Sequence, residues 1–165
     1  MPDLNLHRRI ANFIEMGGQL PALPLALADN LNPAFPLRPY QEEALRYLLF
    51  YLDAYPQRVR PGQLLFHMAT GSGKTLIMAA AMLHLYQQGY RNFIFFVDST
   101  TIIEKTRANF LNPQSPKYLF APQLKLDGQR VAIRPVENFQ AANDQGINLL
   151  FSTIQGLHTM LNTPV

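Results

Sequence analysis

Residues 68–75 read Met68-Ala69-Thr70-Gly71-Ser72-Gly73-Lys74-Thr75. An apolar run at 64–66 precedes this stretch, and a run with the composition of a helix follows it from Leu76 to Leu85. A strand, a glycine loop ending in Gly-Lys-Thr and a helix are the layout of a phosphate-binding P-loop. Glycines let several backbone N–H groups converge on one phosphate, and the helix that follows points its positive end at the same place. The stretch therefore predicts a nucleotide site in an α/β domain.

Each polar residue of this loop has an expected role. Lys74 can reach the β- and γ-phosphates as a point charge, and Thr75 can offer its hydroxyl to Mg²⁺. The cofactors predicted are therefore ATP and Mg²⁺, with the nucleotide bound along Thr70, Gly71, Ser72, Gly73, Lys74 and Thr75. The alternative is an ordinary strand-to-helix turn that happens to contain a lysine. Met68 stands where such loops usually have their first glycine, which indicates a subclass.

Composition places the chain among globular proteins. Its 165 residues suit one domain, and 48% of them are hydrophobic while only 15% are charged. No apolar run has the length of a membrane span, no signal peptide is visible and no cysteine is present, so we expect a cytoplasmic protein. The net charge is +3, and the basic residues are scattered along the chain. This charge is compatible with nucleic-acid binding but does not indicate it.

The first third of the chain reads as helix, connector and helix. Asp3 is expected to cap a helix that runs to about Met16, where two glycines stop it. Five prolines between 19 and 39 predict an extended connector. After Pro39, apolar residues recur at helical spacing as far as Tyr55.

Beyond residue 62 the pattern alternates between strands and helices. Strands are predicted at 64–68, 93–97, 131–136 and 147–151, and helices at 74–88, 101–110 and 154–161. The aromatic-rich run at 93–97 is typical of a buried parallel strand. Thr101 and Glu104 have the spacing of a capping box, so Thr101 is the expected helix start. Repeated β-α-β units predict a parallel sheet with helices on both faces.

Four stretches, taken in order, resemble the first motor domain of superfamily 2 helicases. The segment 37–44 is similar to their adenine-reading segment, and 68–75 to their motif I. Residues 95–101 lie where motif Ia lies, and 153–157 resemble a later DNA-contacting motif. Within that superfamily, the chain most resembles the ATP-dependent restriction (Res) subunit of type III restriction-modification enzymes.

The resemblance implies a RecA-like domain over 37–165, preceded by a helical extension and connector over 1–36. It implies adenine contacts from Arg38 and Gln41, and catalytic roles for Lys74 and Thr75. The implied partners are double-stranded DNA, a DNA-modification (methyltransferase) subunit and a second motor domain. DNA contacts are implied for Ser99, Thr100, Thr153, Gln155 and Gly156.

Several of these residues have a second interpretation. Asp98 ends a hydrophobic strand and fits a metal-linked aspartate, although its position favours the motif Ia role or a simple cap. Tyr40 can stack on a base or belong to the helix core. Thr101 can be consumed as a helix cap, and Thr153 to Gly156 can be a plain helix start.

The acidic Asp-Glu-x-His motif of the family should follow the 153–157 segment, and it does not occur before Val165. The resemblance therefore predicts an N-terminal piece of a larger translocase, with negligible ATP hydrolysis of its own. Two other functions stay open. One is a nucleotide-binding module without turnover, and the other is a non-helicase P-loop ATPase or kinase.

Overall fold

The structure is a computed structural model that describes residues 5–97, 99–140, 142–153 and 155–156. Within these ranges the helices are α1 (Leu6–Glu15), α2 (Leu25–Asp29), α3 (Pro39–Asp53), α4 (Lys74–Gln87) and α5 (Thr100–Leu111). The strands are β1 (Asn92–Val97), β2 (Leu124–Leu126), β3 (Gln129–Val131), β4 (Ile133–Pro135) and β5 (Ile147–Thr153). No helix among the described residues is long and apolar enough to cross a membrane.

A three-stranded parallel sheet confirms the predicted sheet type. Its order is β1-β5-β4, so β5 is central and is hydrogen-bonded on both sides. β5 is almost wholly buried, as its apolar sequence requires. Its one buried amide, Asn148, is satisfied by Asn143 and Asn92.

The core lies among α3, α4, α5 and the central strand. α4 contributes a nearly continuous apolar surface, which includes Leu76, Ala79, Ala80 and Leu83. Leu27 and Leu31, which lie within the predicted connector, belong to the same cluster. Part of the connector is therefore folded into the core.

Two predicted elements differ in the structure, and a third is described only in part. The 19–39 stretch contains α2, and Leu31 forms an isolated bridge with Phe120, so the expectation of a wholly extended connector was wrong. The strand predicted at 131–136 is divided between β3 and β4, which belong to different sheets. The helix predicted over 154–161 lies mostly outside the described residues, of which Gln155 and Gly156 are helical.

The apolar run at 64–68 forms neither strand nor helix, so the prediction of a strand there was wrong. A strand needs a neighbour that exchanges ladder hydrogen bonds with it, and no described residue supplies one. Leu65 is 93% exposed as a result. β1 is an edge strand, so the expectation of a buried strand at 93–97 was only half right. Ile94 is 42% and Phe96 41% exposed, and only alternate side chains of the strand pack inward.

Both predicted helix caps were wrong in position. Asn5 caps α1, and its side chain accepts a hydrogen bond from the Arg8 N–H at 3.0 Å. Ser99 is the N-cap of α5, so Thr101 lies inside the first turn and no Thr101 capping box forms. Asp3 lies outside the described residues.

Candidate nucleotide-binding site

The glycine loop connects the segment at 64–68 to α4. Gly71 and Gly73 have φ angles of 79° and 82°, a left-handed conformation that other residues rarely adopt. Gly73 is the N-cap of α4, which begins at Lys74. Within the described part of the chain, no hydrogen bond engages the backbone N–H groups of Gly73, Lys74 and Thr75. The loop therefore presents free donors at the positive end of a 14-residue helix.

The Lys74 ammonium lies over the same loop. Its Nζ donates to the carbonyl oxygens of Met68 at 3.0 Å and Ala69 at 2.8 Å. Carbonyl oxygens are weaker partners for an ammonium than the charged oxygens of a phosphate. A phosphate on the loop would therefore replace them as the acceptor of the lysine.

Ser72 connects the loop to helix α3. Its carbonyl accepts hydrogen bonds from the Tyr40 hydroxyl at 2.9 Å and from Gln41 Nε2 at 2.8 Å. Its own Oγ is buried and has no hydrogen-bond partner among the described residues. An unpaired buried hydroxyl is costly, so a ligand that bonded to Ser72 Oγ would remove that cost. This orphaned atom fits a phosphate-bearing ligand in the loop.

Gln41 is buried beneath the loop and is only 4% exposed. Its Oε1 accepts from the Arg38 N–H at 2.8 Å, while its Nε2 holds Ser72. A Cβ at Gly73 would lie 2.3 Å from the same Nε2, so a side chain there would displace the Gln41 amide. The side-chain amide of Gln41 thus supports the loop with one N–H of its Nε2, which carries a second N–H donor.

A cavity of about 1050 Å³ opens from the loop. It begins at Thr70–Ser72, passes Arg38 and Tyr40 at the start of α3, and extends to α1. The Tyr40 side chain is 40% exposed, and its hydroxyl accepts from Arg38 Nη1 at 3.3 Å as well as donating to Ser72. The volume is of the size that small-molecule sites occupy.

Thr75 lies in the first turn of α4 and is half-buried. No group of three or more His, Asp or Glu side chains among the described residues could hold a metal ion. Any Mg²⁺ at Thr75 would therefore rely on one hydroxyl from this part of the chain together with the phosphates of its ligand.

The candidate DNA-contacting residues lie at the carboxyl ends of two adjacent strands. Val97 at the end of β1 pairs with Thr153 at the end of β5, so Ser99 and Thr100 lie at the same sheet edge as Thr153. Ser99 has an N-cap conformation, yet its side chain makes no capping hydrogen bond. Thr100 is exposed. Open α/β sheets bind ligands at this edge.

A hydrogen bond typical of a helix start joins Thr153 to Gly156. Thr153 Oγ1 accepts from the Gly156 N–H at 3.0 Å, which favours the capping role that the sequence left open. A Cβ at Gly156 would lie 2.9 Å from Ser152 Oγ, so the turn is tight. Gln155 is exposed beside it, and Asp98 lies outside the described residues.

The sequence did not identify two aromatic residues that line the cavity. His7 of α1 and Tyr47 of α3 are stacked, with ring centroids 5.1 Å apart and planes 16° from parallel. No motif links them, because 39 residues separate them along the chain and only the packing of α1 on α3 brings them together.

Comparison with known proteins gives two matches. The model of a family described as "Type III restriction enzyme, res subunit" matches residues 34–163. The chain is also 38% identical over 148 residues to a Haemophilus influenzae protein named "Probable type III restriction-modification enzyme HindVIP Res subunit". That alignment covers 86% of this chain and 28% of the relative. No solved structure matches significantly.

Proposed function

Because this chain belongs to the family of type III restriction enzyme Res subunits, we propose that it is the ATP-binding part of a DNA translocase. One observation carries the proposal. The N–H groups of Gly73, Lys74 and Thr75, which no described residue engages, lie at the start of α4, and the Lys74 ammonium lies over the same loop. Free backbone donors, a helix N-terminus and a lysine together favour the phosphates of a nucleotide.

Each loop residue then has a role toward ATP. Residues 70–75 surround the phosphates, Lys74 offsets their charge, and Thr75 would hold Mg²⁺ by its hydroxyl. Arg38 borders the cavity next to the loop, where its guanidinium would contact the adenine side of the nucleotide. Gln41 fixes Ser72 with one N–H of its Nε2, and the second N–H of the same nitrogen would be its donor to adenine.

The proposed reaction is phosphoryl transfer from ATP to water. The domain is proposed to be RecA-like, with ATP between it and a second motor domain of the same protein. In such transfer, Lys74 stabilises the charge that develops on the phosphoryl oxygens, and the loop N–H groups hold the phosphates in line. Mg²⁺ held by the Thr75 hydroxyl would offset the negative charge of the phosphates. A metal-linked carboxylate and an arginine from outside the described residues would complete the site.

The chain spans 28% of the length of the relative that it matches, so the activity of the whole protein is also a proposal. We infer a cytoplasmic restriction endonuclease subunit that moves along double-stranded DNA and works with a modification subunit. The motor domain would begin at about residue 37, after an N-terminal extension over 1–36. The family match, which begins at residue 34, supports that division.

The proposal is tested by comparing ADP with AMP. Calorimetry in the presence of Mg²⁺ should detect ADP, whereas AMP should bind at least about 100-fold more weakly. AMP lacks the β-phosphate that the loop donors would hold, and two charge-assisted hydrogen bonds at roughly 1.5 kcal/mol each correspond to that factor. Equal affinity for the two nucleotides, or no binding of either, would contradict an ATP site on this loop.

DNA binding by the isolated chain should be weak and independent of sequence. Ser99, Thr100 and Thr153 are neutral, and neutral hydroxyls contact phosphates without reading bases. Few cations would release counterions, so we expect affinity to fall only mildly with salt. Fluorescence anisotropy with two unrelated duplexes across a salt series measures both properties. Tight binding that prefers one duplex would contradict the motor-domain assignment and indicate a recognition module instead.

A further inference from the structure

The β2–β3 hairpin exposes two cations that lie directly opposite each other. The two strands are antiparallel, and Lys125 is paired with Arg130 across the ladder. The inner face of the hairpin contributes Leu124, Leu126 and Val131 to the core. Lys125 and Arg130 therefore project from the outer face, where both are exposed. Because the Cβ atoms of directly opposite residues lie about 5 Å apart, the hairpin presents two like charges side by side.

Neither cation is neutralised by a neighbour. Among the residues that the structure describes, no carboxylate forms an ion pair with Lys125 or Arg130. The carboxylate at the turn, Asp127, accepts instead from Gln87 Nε2 of α4 at 2.9 Å. Like charges directly opposite each other destabilise a sheet. A polyanion bound to the outer face would offset that repulsion.

The backbone that carries Lys125 is held in place by a buried side chain. Asn30 Oδ1 accepts from the Lys125 N–H at 2.6 Å, and Asn30 Nδ2 donates to the Lys125 carbonyl at 2.8 Å. Asn30 ends α2 and is only 4% exposed, so β2 is fixed to the core as well as to β3. On binding, only the two cationic side chains would lose freedom, which lowers the entropic cost of a contact.

This surface lies away from the other DNA contacts proposed for the chain. β3 leads into β4, whose first residue, Ile133, pairs with Ile147 at the start of β5. Thr153 lies at the other end of this seven-residue strand, roughly 20 Å away. Gln87, which contacts the turn of the hairpin, is likewise the last residue of α4, the helix that begins at the glycine loop. The hairpin is therefore at the amino edge of the sheet, opposite the glycine loop.

We propose that the outer face of the β2–β3 hairpin is a second contact to the phosphate backbone of duplex DNA. The inference rests on the proposed function, since it takes the DNA of a translocase as the polyanion. Successive phosphates of one strand follow at about 3.4 Å of helix axis, so the long side chains of Lys125 and Arg130 can reach neighbouring phosphates. The major groove also admits a two-stranded ribbon. Contacts to phosphate alone carry no sequence preference.

The test measures duplex binding by the whole chain with fluorescence anisotropy at two salt concentrations. Two neutralised phosphates correspond to an affinity that falls about tenfold between about 50 and 200 mM salt. In the double variant Lys125→Gln, Arg130→Gln this fall should nearly disappear. Lys125→Glu should weaken duplex binding about tenfold or more at the lower salt concentration.

Lys125→Glu should at the same time raise the denaturation midpoint by about 2–4 °C, because an opposite-charge pair replaces a like-charge pair. A residue with a merely structural role would move stability and DNA affinity in the same direction. Lys117→Glu is the matched control, since Lys117 is exposed, lies in a turn outside the hairpin and undergoes the same change in charge. It should alter neither property in the way that Lys125→Glu does.

The inference is overturned if Lys125→Glu and Lys117→Glu bind the duplex equally, or if the double variant keeps the salt dependence of the unaltered protein. Absence of duplex binding at about 50 mM salt would also overturn it. Equal competition by poly-glutamate at the same charge concentration would do so too, and would indicate an acidic protein as the partner. ADP affinity should be unchanged in every hairpin variant. Failure of the unaltered protein to bind ADP would instead contradict the proposed function of the glycine loop.

Discussion

Substitution Lys74→Ala should remove measurable binding of ADP and of non-hydrolysable ATP analogues. Lys74 is the cation whose Nζ lies over the glycine loop, 2.8 Å from the Ala69 carbonyl. The variant would leave the phosphate charge facing only backbone donors. Loss of two charge-assisted hydrogen bonds, at roughly 1.5–3 kcal/mol each, corresponds to a weakening of at least about 100-fold. Isothermal titration calorimetry measures this loss of nucleotide affinity directly.

Lys117→Ala serves as the control for this substitution. Lys117 is an exposed lysine in the loop after α5, and the variant makes the same change in net charge. Lys117→Ala should bind nucleotide with unchanged affinity. Both variants should denature at the same temperature as the unaltered protein. Unchanged binding in Lys74→Ala would remove the assignment of residues 68–75 as a phosphate loop.

Gly73→Ala should lower the stability of the folded protein, which is the second large effect that we expect. The new Cβ would overlap Gln41 Nε2, and the φ of 82° is strained for any residue with a side chain. The strain costs roughly 1–2 kcal/mol. Displacing Gln41 leaves its partners unsatisfied, which costs roughly 1–3 kcal/mol more. We expect Gly73→Ala to lower the free energy of unfolding by about 3 kcal/mol, which corresponds to a denaturation midpoint lowered by about 6–12 °C.

Gly89→Ala separates the two contributions. Gly89 has a φ of 97° and no atom within 4 Å of an added Cβ, so the variant reports backbone strain alone. Gly73→Ala should also be less costly in a Gln41→Ala background, because the overlapping amide is gone. If Gly73→Ala and Gly89→Ala destabilise the protein equally, the close contact between α3 and the loop is not present in solution.

The sequence predicted those elements whose signals are local. The apolar repeat after Pro39 gave α3, and the Gly-Lys-Thr stretch gave the start of α4 at Lys74. The apolar run at 147–151 predicted the strand β5. In each case a periodicity or a turn residue within one segment carries the information.

A local signal was overlooked between β2 and β3. Asp127 and Gly128 have φ angles of 52° and 76° and join the two strands as a tight hairpin. An Asp-Gly pair between short alternating runs is a known hairpin signal. The prediction of one strand over 131–136 left no room for this hairpin, because Val131 belongs to the hairpin while Ile133 pairs with β5.

The sequence by itself determined the glycine loop, the helices on either side of it and the parallel character of the sheet. Only the tertiary structure decided that Gln41 lies beneath Gly73, that His7 meets Tyr47, and that the apolar segment at 64–68 is unpaired by any described residue. The physical reason is the range of the interactions. Turn conformation and helical periodicity depend on neighbouring residues, whereas strand pairing and cavity walls depend on segments that are distant along the chain.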